Sequence, residues 1–287
     1  MKDALKKLVE FLFNGNASSV DGVTTDILKY NATTSDLVGN IARYAVMPVA
    51  LTVLAIVMMV ELNRKASHIE ADHQTGVKLI AAVIFKYIIL VMAVKNSNML
   101  LIAIRALVST VLNDGNVSGE GVSVNANGEA VSTFQASIDK ASSVDQVGML
   151  IFLLIPFLVT LAAKATLMIV VLLRFAELYM LTAFAPLPFA FLGNDETKSF
   201  GTSFLRKYVE VCIHGVCIIV SIHIYKGIIS VASNAENGSF LEVSPIGSDD
   251  PLAWLVGNYL PILITPVILM MVVLGSGKIA KAIAGNS

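Results

Sequence analysis

Among the ionisable residues inside the most apolar stretches of the chain are Lys86, Arg105, Lys164, Arg174, Glu177, Glu210 and His214. A charge at the middle of a bilayer costs roughly 2.5–3.5 kcal/mol on insertion scales, so each must be paired, reach water or line a pathway. Spacing offers partners along single helices: Arg174 with Glu177 at i, i+3, and Glu210 with Arg206 or His214 at i, i+4. Lys86 and Lys164 have no such partner. Each therefore calls for a carboxylate from another helix, a lipid headgroup or a water-filled path. If they line a polar passage, it is positive at those levels and suits a polyanion. Snorkelling of Lys86 along its own stem is the rival account. Glu210, His214 and His223 share one segment and could relay protons, although histidines nine residues apart cannot bond directly along one helix.

Other chemistry finds little footing. "HIEADH" (His68–His73) collects two histidines and two acids, Glu70 and Asp72, in a polar loop, but at no zinc spacing. Cys212 and Cys217 are five apart, which turns their thiols to different helix faces and favours core packing. "LGSGKIA" resembles a phosphate loop, yet Val272 stands where the first glycine belongs and Ile279 follows the lysine. Any ATP hydrolysis must come from a partner. No nucleophile and base are placed for covalent catalysis. The chain reads as a non-enzyme with no cofactor and no metal.

The elements that hold these residues are set by composition. Of 287 residues, 56% are hydrophobic and only 14% charged, and mean hydropathy is +0.77, whereas soluble domains average about 25% charged residues. This excludes an ordinary soluble protein. The net charge of −1 gives no global field for nucleic acid or anionic lipid, so any basic site is local. The first residues read as retained, without a signal-peptide cleavage site. Leu5, Leu8, Val9, Leu12 and Phe13 take one face of a helix, and Lys2, Asp3, Lys6, Lys7 and Glu10 the other. Such a helix is expected along a membrane surface or a partner helix, or packed on its own protein.

Apolar runs of about 20 residues mark crossings. They fall at 44–60, closed by Glu61; 79–111, one long tilted helix or a span with an extension; 147–173; 208–231; and 254–274, where Pro261 and Pro266 suggest a kink. A further run, 175–192, carries Pro186 and Pro188 and is expected to be re-entrant, interfacial or an extension. Lysines and arginines alternate between the connections: three in 61–78, one in 112–146, three in 193–207, none in 232–253 and two in the tail. By the positive-inside rule this predicts five net crossings, with the N-terminus outside and the C-terminus in the cytoplasm. The fold class is an all-α polytopic membrane protein: an interfacial region over 1–40, then one helical membrane domain over 41–287 with external loops 112–146 and 232–253. Asn, Ser and Gly in the first loop favour a small hairpin or mobile loop. No internal repeat appears, which weakens a transporter reading.

One stretch carries a resemblance. "RFAELYMLTAFAPLPFAFLGNDETKSFGTSFLRKYVE", Arg174 to Glu210, has an Arg and a Glu after a long apolar span (Arg174, Glu177) and an Ala-Pro-Leu turn (Ala185, Pro186, Leu187). A polar loop follows, with Ser199, Gly201 and Phe204 leading into the next span. It resembles the core of TrbL-like conjugal transfer proteins, the polytopic membrane component of type IV secretion systems. The resemblance implies a channel or platform subunit in the bacterial cytoplasmic (inner) membrane, through which single-stranded DNA with attached relaxase leaves a donor cell. It also implies a homo-oligomer in contact with membrane lipid, with a secretion ATPase and a single-span scaffold as partners. Arg174, Glu177, Pro186, Pro188, Gly201 and Phe204 carry over as shape-setting residues: the prolines would end a helix near the cytoplasmic face and Gly201 would permit the turn. The alternatives are a secondary transporter or small-molecule channel using intramembrane Glu, His and Lys, and a scaffold with no passage.

Overall fold

A computed structural model describes residues 2–14, 31–67, 73–114, 138, 141–232 and 251–285. Among these residues there are helices and turns and no strand. In chain order the helices are α1 (Lys2–Asn14), α2 (Ala32–Asn40), a π-helical turn (Ile41–Val46), α3 (Met47–Ser67), α4 (His73–Lys95) and α5 (Ser97–Asp114). They continue with α6 (Ser143–Phe184), α7 (Pro186–Phe191), α8 (Lys198–Ala232), α9 (Pro251–Gly257) and α10 (Tyr259–Ile283). Among the described residues four stretches are long and apolar enough to cross a membrane: Ala32–Ala66, Ser143–Phe184, Lys198–Tyr225 and Tyr259–Ile283. The bent pair Lys78–Lys95 and Ser97–Val108 would make a fifth. The chain is an all-α polytopic membrane protein. Most of loops 112–146 and 232–253, and His68–Asp72 of the "HIEADH" loop, lie outside the described residues.

The breaks between elements have local causes. Pro48 has no N–H to offer the Tyr44 carbonyl, and just before it the helix widens so that the Met47 N–H bonds to Ala42 O. The region 79–111, expected as one tilted helix or a span with an extension, is two helices bent by 72°. The bend falls at Asn96, in the polar run Asn96-Ser97-Asn98, where short side chains compete for backbone partners; Asn96 Nδ2 donates to Met92 O at 2.9 Å. In the last span the break comes at Asn258, ahead of both prolines. There Asn258 Nδ2 donates to the Trp254 carbonyl at 2.8 Å, and Pro261 has no N–H for Gly257. Hydroxyls in the apolar helices bond back to their own helix, as Thr166 does to Ala162 O at 2.9 Å and Thr182 to Leu178 O at 2.7 Å. Polar groups in lipid must be satisfied internally.

The chain divides into two compact units, and the long helices α6 and α8 give residues to each. In the unit that contains 1–24, 117–172 and 215–279, Leu5 and Val9 of α1 are fully buried against Ile138, Met149, Leu153 and Leu255. Leu8, Leu12, Leu252 and Trp254 pack around them. The apolar face of α1 is therefore covered by its own chain rather than by a membrane surface or a partner. Gln146 closes the turn before α6, donating to Ala141 O at 2.9 Å.

In the unit that contains 25–116, 173–214 and 280–287, the chain leaves α6 at Ala185 and re-enters as the short helix α7. Ala185, Phe189 and Ala190 are buried, and α7 packs against α3, α4 and α5. The proline-containing run is thus an extension of α6 to Phe184 followed by a wedge among helices. Gly201 sits inside α8, not in a turn. A Cβ there would stand 2.7 Å from the Pro188 carbonyl oxygen and 2.5 Å from a Leu192 methyl. The residue is glycine because α8 passes directly over the backbone of α7. We expect Gly201→Val to lower the thermal unfolding midpoint of the detergent-solubilised protein, at a cost of about 1–3 kcal/mol from overpacking. Gly275→Ala, with nothing within 4 Å of the added carbon, should leave the midpoint unchanged or raise it.

Candidate functional site

Glu61, at the end of the first apolar run, is the partner that Lys86 lacks on its own helix. From α3 it accepts Lys86 Nζ on both carboxylate oxygens, at 3.1 and 3.2 Å, and the Tyr87 hydroxyl at 2.7 Å. The Glu61 side chain is 14% exposed and that of Lys86 39%, so neither charge is left alone among apolar neighbours. The Tyr87 hydroxyl also lies 3.3 Å from the Gly193 carbonyl. A side chain on Gly193 would meet the Tyr87 ring at 3.0 Å. One turn further along α3, Arg64 reaches Glu196 at 2.8 Å. Glu61 and Tyr87 thereby fasten the loop after α7 to α3 and α4.

A second polar group gathers on α5, α6 and α8. Lys207 Nζ lies 2.8 Å from Glu210 and 4.0 Å from Glu177, so one lysine serves two carboxylates that spacing along single helices had offered to other cations. Arg174 is within electrostatic range of Arg105 and Cys212, and its guanidinium lies over the Phe175 ring at 5.6 Å. The Tyr208 hydroxyl, fully buried, donates to Leu101 O at 3.3 Å and ties α8 to α5. His214 stands near Arg174, Lys207 and Glu210, and its buried Nε2 has no hydrogen-bond partner among the described residues. Among the described residues this group brings together the cations Arg105, Arg174 and Lys207 and the carboxylates Glu177 and Glu210.

Lys164, in the other unit, rests its ammonium on the Phe11 ring at 3.5 Å from the centroid, and Phe11 packs on Phe157 at 5.1 Å. Among the described residues it has no carboxylate within ion-pair distance. Helical spacing could not reveal Glu61, Tyr87 or Phe11 as partners, because each lies on a different helix from the lysine or loop it serves. The only signal was the placement of Glu61 against an apolar run. Pro186 starts α7, and Pro188 lends its carbonyl to the contact with Gly201. Among the described residues no group of three or more His, Cys, Asp or Glu could hold a metal ion.

Helices of this length and apolarity define a polytopic membrane protein. The sequence model of the family described as TrbL/VirB6 plasmid conjugal transfer like protein matches residues 16–186. That is more than half of the 287 residues, and the chain belongs to this family. The match takes in Glu61, Lys86, Arg105, Lys164, Arg174, Glu177 and Pro186, and ends before Pro188 and Gly201. No curated protein and no solved structure matches the chain. The protein is a conjugal transfer component of the type IV secretion class.

Breaking the Glu61 node from one side should cost more than removing it. We expect Glu61→Leu to lower stability by about 1–3 kcal/mol, because Lys86 is left charged and the Tyr87 hydroxyl loses its acceptor. The double variant Glu61→Leu/Lys86→Leu should recover part of that loss in thermal unfolding. Arg64→Ala, which breaks an exposed pair, should change stability by less than about 1 kcal/mol.

Proposed function

We propose that this chain is a membrane channel or assembly-platform subunit of a conjugative type IV secretion system, helping single-stranded DNA with attached relaxase across the bacterial cytoplasmic membrane. The observation that carries this reading is the family match over residues 16–186. The Lys164 ammonium, held among the described residues by a ring and by no carboxylate, suits a polyanion. The role is structural, with no reaction catalysed by the chain. It works as a homo-oligomer among membrane lipids, beside a secretion ATPase that supplies the energy and a single-span scaffold.

The N-terminus lies outside and the C-terminus in the cytoplasm. Packing within each unit supports the alternation of connections between two sides, and the lysine and arginine count says which side is inside. Segments from the three regions that charge counting assigns to one side meet in one cluster: Leu5 and Val9, Ile138, and Leu252. Arg64 and Glu196, from two connections assigned to the inside, form an ion pair. A proton relay along α8 has less support, since His223 Nδ1 donates to the Ile219 carbonyl of its own helix at 2.9 Å.

The test is conjugation frequency after clean in-frame deletion of the gene. Transfer should vanish at normal growth and return with the wild-type chain. Lys164→Leu should assemble and yet restore little transfer. Unchanged transfer in the deletion strain would overturn the proposal and direct attention to solute transport.

A further inference from the structure

The Lys164 ammonium is held by a π face from the N-terminal helix. Phe11 sits over it at 3.5 Å, and the same helix buries Leu5 and Val9 completely in the cluster with Ile138, Met149, Leu153 and Leu255. The opposite side of α1 carries Lys2, Asp3, Lys6, Lys7 and Glu10. A short helix with this division also settles in the headgroup region of a bilayer, its apolar face toward the acyl chains. The apolar stripe of α1 therefore has two places of similar chemistry to lie, on its own chain or at the membrane boundary. Hydrophobic burial separates the two only weakly. The Phe11–Lys164 contact is the feature specific to the docked position.

A phosphate is a stronger partner for an ammonium than an aromatic face. A ring offers a quadrupole and a phosphodiester a full charge. We propose that α1 is a displaceable cover over Lys164, and that a phosphodiester reaching the lysine replaces Phe11 and releases the helix. This inference rests on the reading that a polyanion passes along the chain. It adds the position at which the polyanion is sensed. The phosphodiester can come from a nucleic-acid strand or from an anionic lipid headgroup, and the lysine would meet the same chemistry in either.

The molecule carries its own reporter. Trp254 is the one tryptophan of the chain, and it packs against the cluster that buries Leu5 and Val9. Its emission should therefore respond when α1 leaves. The experiment uses the full-length protein in an uncharged detergent, with Leu5→Asp supplying the emission of the undocked helix. Adding a single-stranded oligodeoxynucleotide should move parent emission toward that of Leu5→Asp. Phe11→Ala, which keeps Leu5 and Val9 in place, should respond at roughly tenfold lower oligonucleotide concentration, the size of one cation–π contact. Lys164→Leu should not respond. A response to phosphatidylglycerol added in mixed micelles with the same detergent, without one to the oligonucleotide, would assign the ligand to the headgroup. Emission unmoved by either ligand, or moved equally in Lys164→Leu, would overturn the proposal. Conjugation frequency is a separate reading, so loss of this cover and loss of the transfer role are told apart.

Discussion

Glu61 accepts three hydrogen bonds from two adjacent residues of the neighbouring helix, and the arrangement of its unit follows from satisfying that carboxylate. Lys86 needs a counter-charge near an apolar surface, and Tyr87 needs an acceptor at 2% exposure. One carboxylate on α3 answers both. The Tyr87 hydroxyl then lies against the Gly193 carbonyl, which holds the loop after α7 in place. With the loop fixed, α7 stays wedged among α3, α4 and α5, and α8 crosses so close that only glycine fits at position 201. An ion pair with one partner 39% exposed adds little net energy by itself. Its consequence here is geometric, because removing either side leaves the other unanswered.

The second unit solves a related problem by other means. Lys164 has no carboxylate among the described residues, and an aromatic ring takes that place. The ring belongs to a helix that lies against the chain through four apolar side chains. The two lysines that stand alone in the sequence thus have different answers, a full ion pair for Lys86 and a π face for Lys164. The second is the weaker of the two and the easier to exchange. In the transfer role proposed above, the exchangeable partner on Lys164 gives a polyanion a place to act.

Apolar run lengths and the lysine and arginine alternation were enough to read an all-helical membrane protein with about five crossings, because both follow from local composition. The amphipathic pattern of α1 also predicted a helix correctly, though not what covers it: the stripe Leu5, Leu8, Val9, Leu12 fits lipid and protein equally well. The bend at Asn96 was hidden inside a long apolar run, since three short polar residues hardly lower its hydropathy. Gly201 looked like a turn residue because glycine usually is one in a polar loop. Its true constraint is the Pro188 carbonyl thirteen residues earlier, a contact between two elements. Glu61, Tyr87 and Phe11 were illegible as partners for the same reason, since spacing along one helix says nothing of what a neighbouring helix brings.

In the function proposed above, the transferred strand passes against this chain. The direct measurement is crosslinking in mating donor cells, followed by isolation of the chain under denaturing conditions and amplification of the transferred strand. Recovery of that strand with the wild-type chain, and its sharp reduction with Lys164→Leu at equal protein level, is the predicted result. Absence of the strand from this chain, in cells where it is recovered with other subunits of the same machine, would contradict the account and leave the protein a platform that DNA never touches.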